Sequence, residues 1–366
     1  MVRAAMSAPV WHSNILSDAR EGRPDLQLLG WWAASVALML LASACCPARH
    51  PVPGQPSVGP SAVTGPLLRF KVIYVDLDGT ALDGRSQEPR PGTIAALDDF
   101  RACGGLVGIA TGRSLEQATP YFSSLRPNAP VVLMNGGMIV DPTDSRIITV
   151  RRFSKSEVLE AVRAAASVAA ASGVAIHLVN GTLVVRPTPG FLGFLRRASI
   201  TPTGTCASDH CLTGIAQGEI ELPVKIMLVV PPGRASTVVA SLRTSLGRRI
   251  AVSIGNPAEA TVELVPAGTD KGAAISTILQ RRGLLPERDL LAFGDGQNDA
   301  EMLGNAAVGV AMQRSHEDAR RRALFVTGSN DSDSIAAVVR RLAITPSCAR
   351  RVRGGTHAAA ETGPHP

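Results

Sequence analysis

The chain has 366 residues, 45% of them apolar and 18% charged, with a formal net charge of +7. That length and apolar share allow two modest domains with buried cores and exclude a chain disordered throughout. The positive balance is almost all arginine, since lysine occurs only at positions 71, 155, 225 and 271, and aromatics are 4%. A nucleic-acid surface needs a clustered basic stripe interleaved with aromatics, so no nucleic-acid partner is expected.

The N-terminal stretch Leu28 to Cys46 is 19 residues without a charge, close to the roughly 20 that span a bilayer as helix. It reads as a transmembrane anchor, as a signal sequence, or as part of a translated start set too far upstream. LASAC at 41–45 also resembles a lipoprotein cleavage box, with Ala42 where that pattern prefers Leu. Residues 47–66 are rich in Pro, Gly and Ser and read as a linker.

In KVIYVDLDGTAL (71–82), Val72 to Val75 form a short apolar run suited to a strand covered on both faces. Asp76 and Asp78 then leave its carboxyl end, where open parallel sheets bind ligands. Two acids in period-2 register suit a nucleophile and a proton donor. A helix over Pro91 to Cys103 leads to a second buried run, Leu106 to Ala110, which ends in Thr111-Gly112-Arg113. A hydroxyl and free backbone N–H groups at a strand-to-helix junction make a phosphate site. Val131 to Met134 is a third strand before Asn135-Gly136-Gly137, and a hairpin over DPTDSR (141–146) follows.

From Ser154 the pattern changes. Ser154 with Glu157 is a capping-box start, and Asn180-Gly181 joins a hairpin. A helix near 190–198, a Gly/Thr/Cys loop, a strand at 225–230, a helix over 233–246 and a strand at 250–254 complete the block. The six cysteines show no CxxC pair and no framework spacing, and Cys206 to Cys211, with Asp209 and His210, lacks complete zinc spacing and reads as a loop.

TVELV (261–265) is followed by PAGTDKG, which places Lys271 at a helix start. A lysine there, in a chain that prefers arginine, suits a point cation shared by phosphate and carboxylate. Leu290 to Phe293 is a fourth strand, with GDGQND (294–299) directly after it. The oxygen ligands of Asp295 and Asp299 suit Mg²⁺, and Asn298 can hydrogen-bond. A short helix from Ala300, a strand at 308–311 and a last helix ending near Leu342 complete the pattern.

Motif I (DLDGT), TGR, VELVPAGTDKG and GDGQND resemble, in order, the four motifs of the haloacid dehalogenase superfamily, over residues 70–342. Met312-Gln313-Arg314 departs from the Gly-Asn-Ala often found there. The 154–258 insertion resembles the type IIB cap of the Cof-type branch. The resemblance implies an α/β fold, a Rossmann-like parallel-sheet core (70–153 and 259–343) carrying an inserted α+β cap (154–258). Residues 1–69 stand before it, and 344–366 form a patternless, disordered tail.

The resemblance further implies a Mg²⁺-dependent phosphatase of small phosphorylated metabolites that works through an aspartyl-phosphate. Its catalytic residues would be Asp76, Asp78 and Lys271. Thr111, Gly112, Lys271 and Asn298 would bind phosphate, and Asp76, Asp78, Asp295 and Asp299 the metal. The alternatives are a sugar phosphomutase of the same superfamily and a non-catalytic, membrane-tethered phosphate-binding protein. A cytoplasmic location is expected, with a membrane tether through 28–46 as the competing reading. The sequence sets no oligomeric state.

Overall fold

The computed structural model describes residues 68–168, 173–206, 208–255 and 260–352. The apolar segment 28–46 and the linker 47–66 lie outside the described residues. Among the described residues no helix is long and apolar enough to cross a membrane.

Apolar β-branched runs bounded by glycine and polar turns build a five-stranded sheet in the order β14-β13-β12-β1-β2. Its members are β1 (Val72–Val75), β2 (Leu106–Ile109), β12 (Leu290–Gly294), β13 (Val308–Ala311) and β14 (Phe325–Val326). All neighbouring pairs run parallel. β1 lies between β12 and β2 and is wholly buried. The helices Pro91–Ala102 and Lys271–Gln280 bury their apolar residues in the two clusters that cover the sheet. A strand order with β1 between β2 and β12 brings the carboxyl ends of all three together, which is where the sequence places Asp76, Thr111 and Asp295.

The third expected strand, β3 (Val131–Leu133), does not join this sheet as a full member. It pairs antiparallel with β4 (Met138–Val140), which pairs with β5 (Ile147–Val150). Its link to the main sheet is one parallel bridge, Ala110 to Val132. Asn135 follows with φ 57°, so the chain turns back on itself before a longer ladder can form.

The inserted block forms a six-stranded sheet in the order β10-β11-β9-β6-β7-β8. These are β6 (Gly173–His177), β7 (Thr182–Val185), β8 (Gly204–Cys206), β9 (Lys225–Val229), β10 (Ile250–Ile254) and β11 (Thr261–Pro266). The Ser154 capping box is formed in both directions. One face of this sheet, with Ile226, Leu228, Val262 and Leu264, packs under helices that supply Val158, Cys211 and Val238. On the other face Ala175, Val184 and Met227 pack against Phe191, Phe194 and Leu195 of the helix Pro189–Arg197. By strand alternation His177, Lys225 and Glu263 lie on this second face.

Three expectations change. β11 was assigned to the core by a boundary at 259, but it hydrogen-bonds antiparallel to β9 and β10, so the chain returns to the core after Pro266. The expected loop after Cys206 contains the helix Ser208–Gln217, because Cys211 and Ile215, four apart, bury one face together. The tail is not patternless from 344. Ile344 pairs with Leu68, residues 346–352 are helical, and Cys348 is disulfide-bonded to Cys103 across 245 positions. Cys211 is disulfide-bonded as well. Spacing arguments look for nearby cysteines and are blind to such a link.

Candidate active site

Asp76 sits at the carboxyl end of β1, 5% exposed. Its backbone N–H donates to Phe293 O at 3.0 Å, continuing the β1 to β12 ladder into the site. Lys271 is 0% exposed at the first position of the helix Lys271–Gln280, which Asp270 caps by accepting from the N–H of Ala273. Its Nζ donates to Asp76 Oδ1 and to Asp299 Oδ1, each at 2.7 Å. Burial alone would lower its pKa, but Asp299 and Asp76 outweigh that and raise it, so the ammonium stays charged in the interior. Asp299 is itself held from behind, its Oδ2 accepting from the N–H groups of Asp295 (3.0 Å) and Gly296 (2.8 Å).

Gly79 is the turn residue that lets two motifs meet. Its φ is +73°, and a Cβ there would come within 2.3 Å of Asp295 Oδ2. Both the left-handed backbone and the close approach require glycine. Thr80, which was not singled out in the sequence, is 1% exposed and donates to Asp295 Oδ1 at 2.7 Å.

Asp76, Asp295 and Asp299 offer carboxylate oxygens all within 4.8 Å of one another. Burial, then Asp299, raises the Asp295 carboxyl to about 7 against opposing pulls from Thr80 and Lys271. Burial also pushes Asp76 well up; Lys271 opposes this, while Asp299, Asp295 and Asp78 add to it. Two buried acids and a half-buried third face one buried cation, and an all-oxygen donor set fits a hard divalent ion. Among the described residues this is the one such cluster. Asp78 lies outside it.

The Asp78 carboxylate instead meets Arg113 side on, with Nε donating to Oδ2 at 2.8 Å and Nη2 to Oδ1 at 2.6 Å. Arg113 also packs over the Tyr121 ring, 4.9 Å from its centroid, and donates to the Tyr121 hydroxyl. Both oxygens of Asp78 thus accept from the Arg113 guanidinium.

Thr111 is 1% exposed, and its Oγ1 accepts from the N–H of Arg113 at 3.2 Å. Gly112 O accepts from Lys225 Nζ at 2.7 Å, across from the inserted sheet. Asn298 Nδ2 donates to Asn135 Oδ1 at 2.9 Å. Asn135 Nδ2 in turn donates to Glu263 Oε2 at 2.6 Å, and Lys225 pairs with Glu263 Oε1 at 2.6 Å. The predicted residues therefore gather around one set of strand ends. Lys225, Glu263, Thr80 and the Arg113 clamp were missed. The available signal was that Lys225, one of four lysines, opens an otherwise apolar strand, and Glu263 interrupts another.

Residues 73–339 match the pattern of the haloacid dehalogenase-like hydrolases. The pyridoxal phosphate phosphatase YbhA of Escherichia coli (strain K12) is 25% identical over 276 residues, 74% of this chain and 97% of that protein. The 5-amino-6-(5-phospho-D-ribitylamino)uracil phosphatase YwtE of Bacillus subtilis (strain 168) is 24% identical, covering 75% and 98%. A chloroplastic endoribonuclease of Arabidopsis thaliana is 39% identical over only 82 residues, 14% of its length. Among solved structures, the subclass IIB sugar phosphatase BT4131 superposes with a TM-score of 0.62 at 21% identity, over 74% of this chain and 98% of that one.

Proposed function

Because the chain belongs to the haloacid dehalogenase-like hydrolases, we propose that it is a Mg²⁺-dependent phosphatase of small phosphorylated metabolites, with sugar phosphates as the leading class. The observation that carries this reading is the buried Asp76, Lys271 and Asp299 cluster at the meeting point of three strand ends, with Asp295 beside it. Lys271 holds one oxygen of Asp76, so the other is available to attack phosphorus. The bond from phosphorus to the leaving oxygen breaks, and Asp78 supplies the proton that oxygen takes up. Water, giving its proton to Asp78, then cleaves the aspartyl-phosphate, releasing phosphate and restoring the Asp76 carboxylate.

Thr111, Gly112, Lys271 and Asn298 bind phosphoryl oxygens in this scheme. Asp76, the Asp78 carbonyl and Asp295 would hold Mg²⁺, with Asp299 adding charge while its own oxygens stay engaged, and the ion would supply neutralisation of phosphoryl charge. Relatives named as phosphatases of pyridoxal phosphate and of a phosphoribitylamino uracil support the small-ester class. The inserted block offers few rings for stacking, since Phe191 and Phe194 are buried against one another, which favours polar sugars over flat ligands. Small phosphate esters are made in the cytoplasm, and the reading places the enzyme there.

The test is release of inorganic phosphate from a panel of sugar phosphates and pyridoxal phosphate, with and without Mg²⁺. Asp76→Asn should lose at least about a thousandfold in kcat with an unchanged circular dichroism spectrum. Turnover that survives the substitution, or a wild-type protein that releases no phosphate from any ester, overturns the reading.

A further inference from the structure

The backbone of the TGR motif, which follows a strand of the core, is held by a side chain of the inserted sheet. The Gly112 carbonyl accepts from Lys225 Nζ at 2.7 Å. Lys225 opens β9, in the middle of the inserted sheet, and its side chain is 4% exposed. An ammonium there has three protons to place. One goes to Gly112 O and one to Glu263 Oε1 at 2.6 Å. Glu263 spends its other oxygen on Asn135 Nδ2, also at 2.6 Å, and Asn135 Oδ1 accepts from Asn298 of the GDGQND motif. Three segments that were separate motifs in the sequence are thereby joined through two side chains of the inserted sheet.

The consequence lies in one peptide plane. The peptide between Gly112 and Arg113 is trans, as are all the described ones, so its carbonyl and its N–H point in opposite directions. Fixing the carbonyl on Lys225 fixes the N–H of Arg113 on the far side, where it donates to Thr111 Oγ1 at 3.2 Å. A hydroxyl oxygen that accepts there keeps its own proton to donate elsewhere. Without Lys225 the plane loses the bond on its carbonyl, while the flanking bonds of Thr111 to Val132 and Asn135 and of Arg113 O to Met134 remain, and the bond that sets the threonine hydroxyl is weakened.

We propose that Lys225, reaching from the inserted sheet and held by Glu263, is a positioning residue for the phosphate-binding loop: it orients the Gly112 to Arg113 peptide and, through it, the Thr111 hydroxyl that binds the phosphoryl group. The proposal rests on the phosphatase reading and on Thr111 as a phosphate ligand. The inserted sheet thus does more than cover the cleft; it completes the phosphate site.

Removing one partner of a buried pair leaves an uncompensated charge and destabilises the fold, whereas replacing both with apolar groups is often neutral. The decisive variant is therefore the double substitution Lys225→Met with Glu263→Leu. It should melt within a few degrees of wild type, yet raise KM for a sugar phosphate and Ki for inorganic phosphate together by about tenfold or more, with a smaller change in kcat, as expected when a contact made in both ground and transition state is weakened. Thr111→Val should cost far less on that background than on wild type. A double variant with wild-type KM and Ki, or additive losses, would show that Lys225 only balances a buried charge. A measurement on the unmodified protein needs no variant to fold: the amide of Arg113 should be protected from hydrogen exchange, and free exchange there overturns the proposal. If the wild type binds inorganic phosphate but turns over no ester, the phosphatase reading fails while the positioning claim is still decided by phosphate affinity.

Discussion

Asp76 and Asp295 sit beside Asp299 and the Lys271 ammonium, and the titration of these two carboxyls should be visible in stability. Burial and neighbouring acids raise Asp295 to about 7 and hold Asp76 well above the usual carboxylate range. A carboxyl whose folded pKa exceeds its unfolded value stabilises the fold below the unfolded pKa and loses that contribution as pH rises through the folded one. Metal-free protein should therefore lose stability between about pH 4 and about pH 7, at up to about 1.4 kcal/mol per pH unit for each such group. A divalent ion replaces the proton as counter-charge, so the rise in Tm on adding excess Mg²⁺ should be small near pH 5 and largest near pH 8. Scanning calorimetry across that range, with and without the ion, checks it. An Mg²⁺ effect that is equal at both ends would mean the acids are not where the ion binds.

At the scale of elements, each site residue expected from the sequence sits on a junction. Asp76 follows a strand, Thr111 follows the next, Lys271 opens a helix, and Asp295 to Asp299 span a tight turn between strand and helix. The Cys103 to Cys348 disulfide lies toward the amino ends of the strands, since Cys103 follows the helix Pro91–Ala102 and precedes the amino end of β2. It ties the helical residues 346–352 to the end of the helix Pro91–Ala102. Cys103→Ser should cost roughly 2–4 kcal/mol of stability and leave kcat nearly unchanged, as denaturant titration and phosphate release would show; a loss of kcat matching the loss of stability would contradict that separation. The same bond reports on location, because such links are rare in the cytoplasm. Protein trapped by alkylation in growing cells should carry free thiols at both positions if the cytoplasmic placement holds, and trapping as the bonded pair overturns that placement.

The whole molecule closes the inserted sheet over the strand ends at several points. Gln117 Nε2 donates to Ala198 O at 2.6 Å, the N–H of Ile254 to Gln297 Oε1 at 3.0 Å, and Lys225 and Glu263 meet Gly112 and Asn135. These contacts tie the inserted sheet and its helices to the core loops that carry Gly112, Asn135 and Gln297. On the proposed phosphatase reading, an inserted sheet held this close to the strand ends would exclude water and bulky partners. Small phosphate esters should accordingly exceed phosphopeptides in kcat/KM by at least about a hundredfold, a gap of roughly 3 kcal/mol in transition-state binding. A side-by-side panel measures it, and comparable turnover of phosphopeptides would mean that the inserted sheet opens more widely than its contacts imply.

What the sequence determined by itself was the local chemistry. DLDGT, TGR, the lysine of TDKG and GDGQND each announce a strand end or helix start, because apolar runs, glycine turns and caps depend on neighbours within a few positions. The order of those motifs was enough to expect a parallel sheet with a site along one edge. Only the tertiary structure decided that β11 belongs to the inserted sheet, because an apolar strand of that length fits either sheet and its partner is set by packing. The same is true of the link between Cys103 and Cys348, and of Arg113 clamping Asp78. The pairing of Lys225 with Glu263 and Gly112 was equally hidden, since residues 38 and 113 positions apart share no local signal. A side chain's chemistry is written in its type, whereas its partner is set by where the whole chain can bury its apolar faces, and that is a property of no single segment.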